Sequence, residues 1–156
     1  METTTSVNPT STQKSLGAAA HLSVLTQYFI PFGNFVLPVI IWSAARENEF
    51  IERQGKSVIN FQLSVLLYTI VMGLIAVPVA LSTLFSQVPL GDFHFDHVNV
   101  ATLVSHESVT AVSTLLVLAF LFCSLKIAEF FLAILGASRA ARGDSFQYPL
   151  SIRFIK

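Results

Sequence analysis

Lys126 and Glu129 are the residues whose type and spacing could do chemistry inside a membrane. They are the only charged residues in the apolar stretch from Ser108 to Ser138. Residues three apart share one face of a helix, so the ammonium and the carboxylate can form an ion pair. A charge at the bilayer centre costs about 2.5 to 3.5 kcal/mol, so neither side chain should face lipid. The pair could form a proton or ion relay, or it could fix helix packing. We favour packing, because the two charges can cancel.

Asn60 and Gln62 are the polar residues that begin the second apolar segment, directly after a basic linker. Side-chain amides bond across membrane helices for roughly 0.6 kcal/mol each, which orders packing without implying a ligand. We therefore expect both to be structural. The small residues of the third segment suggest a face for close helix contact, within the protomer or between protomers: Ala133, Gly136, Ala137 and Ala140. His21 lies in an apolar context and is predicted to be buried and hydrogen-bonded.

A second group with possible chemistry lies between the second and third apolar segments. Imidazole and carboxylate groups there could bind zinc or copper if the fold brought them together: His94, Asp96, His97 and His106. Their spacing matches no metal-binding motif, so we predict no metal site and no cofactor. The chain also lacks the nucleophile-elbow and phosphate-loop motifs, and we expect that it is not an enzyme.

Three long apolar segments must position these residues. The residues from Ser57 to Gly91 include no Asp, Glu, Lys or Arg, and the stretches Ser15–Ala45 and Ser108–Ser138 are similar. About 20 helical residues cross a bilayer core roughly 30 Å thick. Only 12% of the residues are charged and mean hydropathy is +0.68, which indicates a membrane protein. The expected partners are therefore the lipid bilayer and a second copy or another membrane protein, and the zero net charge gives no reason to expect nucleic acid.

The basic residues predict the topology. The linker 46–56, between the first two apolar segments, contains Arg46, Arg53 and Lys56. Four more Lys or Arg residues follow residue 138, and residues 87–107 contain no Lys or Arg. Because basic residues next to spans stay in the cytoplasm, we predict a bacterial inner-membrane protein whose linker and C-terminus are cytoplasmic. The predicted organisation is a disordered tail 1–14, a membrane domain 15–142 and a C-terminal tail 143–156 lying along the membrane interface. Within the membrane domain we predict a broken segment 15–45, a span 57–88, an outer loop 92–106 and a span 108–140.

Helix-breaking residues interrupt the first segment: Pro31, Gly33, Asn34 and Pro38. Its two arms would reach roughly 22 and 16 Å, so neither spans the bilayer alone. A single kinked span and a short hairpin that enters and leaves from the cytoplasmic side both fit these lengths. In the second segment, Pro78 is predicted to kink or break the helix.

Short motifs run through the chain in a fixed order: His21-Leu22-Ser23, Ile30-Pro31-Phe32-Gly33-Asn34, Leu37-Pro38, Trp42, Gly55-Lys56, Asn60-Phe61-Gln62, Gly143, and Tyr148 to Phe154. Their order resembles that of domain-of-unknown-function family 4870, a group of Tic-twenty-like small bacterial membrane proteins. The resemblance implies an inner-membrane protein with both ends on one side, which favours the hairpin. It implies no activity.

The predicted fold is thus an all-α polytopic membrane protein with a broken first segment, which we expect to be a short hairpin, and two long transmembrane helices. The predicted function is that of a helical module or subunit of a membrane assembly, with a link to translocation or transport that the resemblance suggests. The alternative is a small ion or solute conductor lined by Lys126 and Glu129.

Overall fold

Helices make up most of the structure, a computed structural model that is described here for residues 8–87 and 106–155. These residues contain four α-helices and no strand, so the all-α prediction is confirmed for this part of the chain. The elements are α1 (Ser11–Leu22), a 3-10 helix (Ser23–Tyr28), α2 (Gly33–Ala44), α3 (Glu49–Gln87) and α4 (His106–Arg142).

The start of α1 lies within the segment predicted to be a tail. Thr10 and Gln13 form a capping box. The backbone N–H of Gln13 donates to Thr10 Oγ1 (3.3 Å), and the backbone N–H of Thr10 donates to Gln13 Oε1 (2.8 Å). Reciprocal capping satisfies two backbone donors that would otherwise need water. A polar, Thr- and Ser-rich composition was the signal for disorder, but here the same residue types start a helix.

The first apolar segment is broken at residues 29–32, as the Pro31 and Gly33 positions indicated. Phe32 has φ 60°, and α2 begins directly after it. Gly33 permits the tight turn, because a Cβ atom there would lie 2.5 Å from Thr26 Oγ1. Pro38 was expected to break the helix, but it lies inside α2 and does not end it.

The two arms of this segment run in opposite directions along α3. Gly17 of α1 lies beside Gln54, and the Gln27 and Asn34 side chains, on either side of the turn, both bond into the group around Gln62. Farther along α2, Trp42 packs against Gly55. The chain thus advances along α3 and then returns.

The predicted linker 46–56 is mostly the first part of α3. The Asn48 carboxamide oxygen accepts hydrogen bonds from the N–H groups of Phe50 (3.1 Å) and Ile51 (3.3 Å), which caps the helix. The ion pairs Arg53–Glu49 and Lys56–Glu52, each 2.7 Å and four residues apart, follow on its surface. At the other end of α3, Pro78 lies inside the helix and does not end it.

Two helical regions are long and apolar enough to cross a membrane: Glu49–Thr83 and Val109–Arg142, each with a hydropathy of 2.3. Only 11% and 6% of their most apolar windows are buried inside the protein. A core helix of a soluble protein would be mostly buried, so the exposure of these apolar faces supports contact with lipid.

The chain forms two compact units. The first contains Met1–Leu66 and Ile127–Lys156, and the second contains Leu67–Lys126. The buried core residues belong to the first unit, among them Ala20, Val24, Val58 and Ala133. No side chain described in the second unit is buried.

We predict that Gly55→Ala destabilises the protein, whereas Gly73→Ala on the same helix does not. A Cβ atom on Gly55 would lie 2.6 Å from the Trp42 ring, while one on Gly73 meets nothing within 4 Å. Overpacking of this kind costs about 1–3 kcal/mol, and alanine in an open helix position gains up to about 1 kcal/mol over glycine. Thermal unfolding in detergent measures both variants. Equal melting temperatures for the two would contradict the close contact between α2 and α3.

Candidate functional site

A buried carboxylate lies at the centre of the first unit. Glu129 on α4 has no exposed surface, and its Oε1 accepts hydrogen bonds from Gln27 Nε2 (2.9 Å) and Gln62 Nε2 (3.0 Å). The Asn34 amide in turn donates to Gln62 Oε1 (2.7 Å). The 3-10 helix, α2, α3 and α4 thus each contribute a side chain. We call these four residues the Glu129 cluster.

The structure brings together some of the residues singled out in the sequence. Glu129 and Gln62 meet directly. Gln27 was not anticipated, and Asn34 was considered only as a helix breaker. Their signal in the sequence was an amide in an otherwise apolar segment. Lys126 is half-buried and belongs to the second unit, and its role remains a prediction.

A histidine lies in a second polar group of the same unit. The Gln54 amide nitrogen donates to the Asp144 carbonyl (2.8 Å), so its Oε1 faces His21 and accepts from His21 Nε2–H (2.8 Å). This arrangement assigns the proton to Nε2. Nδ1 then accepts from the Tyr148 hydroxyl (2.6 Å). The prediction that His21 is buried and hydrogen-bonded is confirmed.

Burial keeps both rings of this group neutral. Desolvation lowers the pKa of His21 to about 4, and the hydrogen bond to Gln54 opposes this shift only in part. Burial also raises the pKa of the Tyr148 hydroxyl, and the negative charge of Glu129 raises it further. The hydroxyl donor and the neutral imidazole acceptor are therefore matched over the physiological pH range.

Asn60 binds the C-terminal tail and not a neighbouring membrane helix. Its Nδ2 donates to the Ile155 carbonyl (2.9 Å), and its Oδ1 accepts from the N–H groups of Phe154 (3.0 Å) and Ile155 (2.8 Å). Ser57 Oγ donates to the Phe146 carbonyl (2.6 Å), and Ser64 Oγ accepts from the Ile152 N–H (2.8 Å). Residues 144–155, which we call the tail strap, thus lie along one face of α3. The sequence predicted a tail that lies along the membrane interface.

Aromatic rings fill the space under the tail strap. Tyr148 stacks on Phe61 with a centroid distance of 4.0 Å and an interplanar angle of 6°, and Phe146 meets Tyr148 edge-on at 5.0 Å. Gly136 of α4 makes room for this packing, because a Cβ atom there would lie 2.6 Å from His21 Nδ1. The small-residue face predicted on α4 thus serves a contact within the protomer.

The side chains of the metal candidates fall outside the part of the chain that the structure describes. His94, Asp96 and His97 lie outside the described residues, and His106 is the first residue of α4, with its side chain also outside the description. Among the described residues, no group of three or more His, Cys, Asp and Glu side chains could hold a metal ion. Cys123 is exposed and lies in the second unit. What the described polar groups can do is hold four helical segments and the tail strap in one arrangement.

We predict that the first unit loses stability as the pH falls below about 6.5. His21 is neutral in the folded state down to a pKa of about 4, whereas the unfolded chain binds a proton near pH 6.5. Stability from this group is therefore complete above pH 6.5 and is lost between pH 6.5 and 4, by roughly 3 kcal/mol at most. Unfolding in detergent measured across this range tests the sign. The variant His21→Gln should lack this component, and an unchanged pH profile in that variant would contradict the assignment to His21.

We also predict that Asn60→Ala releases the end of the tail strap. The substitution removes three hydrogen bonds to residues 154 and 155, each worth about 0.5–1.5 kcal/mol. Trypsin should then cleave after Arg153 faster than in the parent protein, as measured by mass spectrometry. Ser43→Ala is the control, because Ser43 Oγ bonds only locally to the Ile40 carbonyl. Equal cleavage in Asn60→Ala and the parent would show that the strap is held by other contacts.

Comparison with known protein families gives one match. Residues 12–155 match the model of the magnetosome magnetite crystal formation protein family, MamF/MmsF. No curated protein and no solved structure matches the chain. The resemblance to domain-of-unknown-function family 4870 was therefore wrong, and the suggested link to translocation or transport is withdrawn with it. Two of the motifs behind that resemblance form the turn at residues 29–32 and the tail strap, which are packing features.

Proposed function

The chain belongs to the magnetosome magnetite crystal formation protein family, and we propose that it serves magnetite formation as a helical module of the magnetosome membrane. We further propose that it acts by assembly and not as an enzyme. The two long apolar helices support the membrane location, and the family match supports the process.

One observation carries the choice of a packing role: the Glu129 carboxylate is completely buried and accepts two amide hydrogen bonds from inside its own unit. An ion path needs polar groups that can exchange their partners with water or ions. Here Gln62 is held through its nitrogen by Glu129 and through its oxygen by Asn34. These bonds favour a fixed polar junction over the alternative of a conductor lined by Lys126 and Glu129.

The topology is part of the proposal. Basic residues in the last turn of α4, in the tail strap and in the first turns of α3 support a cytoplasmic location of the tail strap. The opposite directions of α1 and α2 along α3 support a short hairpin on that same side. The proposed partner is a second copy or another membrane protein, which would contact the exposed apolar faces of the long helices.

We predict that Glu129→Gln supports magnetite formation and that Glu129→Leu does not. The Gln side chain keeps an oxygen that can accept both amide hydrogen bonds, whereas Leu leaves the buried Gln62 donor and the half-buried Gln27 donor without that acceptor, at about 1–3 kcal/mol for the buried one. The variants are expressed in magnetite-forming cells that lack the native protein. Crystal size is measured by electron microscopy and protein level by immunoblot.

Phe131→Leu is the matched control, because this exposed residue lies two positions from Glu129 on the same helix. If Glu129→Gln matched the Leu variant in its crystal defect while its protein level stayed normal, the charge itself would be required, and the conductor would be favoured. Crystals of parental size in cells without the protein would contradict the role in magnetite formation.

A further inference from the structure

In the hairpin, α1 and the 3-10 helix form one arm and α2 forms the other. The open end of the hairpin lies where α4 ends and α3 begins. A Cβ atom on Gly17 would lie 3.5 Å from Ala140 and 3.4 Å from Gln54. At the other end of the arms, Gln27 bonds Glu129 and Asn34 bonds Gln62. Glu129 is ten residues before Arg139, so it lies about 15 Å along α4 from that cation. This distance is half of a hydrocarbon core roughly 30 Å thick.

The turn between the arms is apolar and exposed. Phe29 is 87% exposed, Phe32 is 73% exposed and Ile30 is 55% exposed. We call residues 29–32 the aromatic tip. No charged residue occurs between Ser15 and Ala45. An exposed apolar group of this kind marks a surface that is covered in the working protein.

Most backbone N–H groups at the aromatic tip are hydrogen-bonded within the turn. The N–H groups of Phe29 and Ile30 donate to the Thr26 carbonyl (2.9 and 2.8 Å), and the Gly33 N–H donates to the Ile30 carbonyl (3.0 Å). Pro31 has no N–H to satisfy. Because an unsatisfied donor in hydrocarbon costs several kcal/mol, these three bonds lower the cost of placing the turn against lipid relative to an open loop.

We propose that the aromatic tip is inserted among the lipid acyl chains of the leaflet on the tail-strap side, at about the depth of Glu129. This proposal rests on the hairpin topology proposed above and adds the occupant of the exposed surface. Lipid fits this surface because the tip carries no polar side chain. The tip also begins two residues after Gln27 and ends two residues before Asn34, which are both bonded at the level of Glu129. The first segment thus binds one leaflet and does not cross the bilayer.

Depth-dependent fluorescence quenching tests the insertion. The chain has one tryptophan, so Trp42→Phe gives a dark background into which Phe29→Trp places a reporter at the tip. The protein is reconstituted in phosphatidylcholine vesicles whose acyl chains carry bromine either near the headgroup or near the middle of the bilayer. We expect a larger loss of emission with the deep bromines, and no loss with iodide in the buffer.

Two reporters calibrate the measurement in the same background. Phe120→Trp lies on an exposed position of α4 inside the long apolar helix and should also be quenched by brominated lipid. Ser11→Trp, at the exposed start of α1, should respond to iodide. Tip emission that follows iodide would overturn the proposal. Tip emission that resists bromine and changes with the protein-to-lipid ratio would also overturn it and would assign the surface to a second copy.

A labelling experiment tests the side from which the hairpin enters. With Cys123→Ser removing the only cysteine, Ser11→Cys provides one thiol before the first segment. A maleimide that cannot cross membranes should leave it unlabelled in right-side-out vesicles and label it in inside-out vesicles. The opposite result would indicate a single kinked span. Neither experiment involves magnetite, so its outcome does not depend on crystal formation. If the tip is quenched as expected while cells with Glu129→Leu form unaltered crystals, the proposed function is contradicted and the insertion of the tip is not.

Discussion

The burial of one carboxylate organises the first unit. Glu129 lies in a long apolar helix, where a charge facing lipid would be costly, so the fold must surround it with donors. The donors come from the 3-10 helix and α3, and α2 joins them through Asn34. Because amide hydrogen bonds require contact distances near 3 Å, this one group fixes the relative positions of four segments. The break in the first apolar segment follows from the same requirement, since only a chain that turns back can supply both Gln27 and Asn34 at this depth.

The tail strap provides hydrogen-bond partners for a second set of polar side chains, those of α3. Four residues place polar groups along one face of α3, in a helix that is mostly apolar beyond its first turns: Gln54, Ser57, Asn60 and Ser64. An extended segment is a good partner for such a face, because its backbone offers donors and acceptors at every residue. His21 and Tyr148 join this face to α1. The result is a layer of neutral hydrogen bonds that needs no charge near the lipid, which agrees with the direction of the His21 pKa shift.

Much of this fold could be predicted from the sequence, and the predictions that failed did so for physical reasons. Long uncharged runs predict membrane helices because length and composition alone decide that outcome. Pro31 and Gly33 located the turn. The partner of Asn60 could not be predicted, since a contact with an extended tail leaves no periodic pattern. The start of α3 was missed because its charged residues resemble a linker until their four-residue pairing is considered. Pro38 and Pro78 show that proline position alone does not end a helix.

The tail strap also imposes an order on biosynthesis. The side chains of α3 that hold it lie 88 to 95 residues before their partners in the chain. At a translation rate of about 5–20 residues per second, α3 leaves the ribosome roughly 5 to 20 seconds before the strap exists. During that interval the polar face of α3 depends on the insertion machinery or on interfacial water for its hydrogen bonds. Synthesis of residues 144–155 is therefore the event that closes this unit, and until then the polar face of α3 stays open.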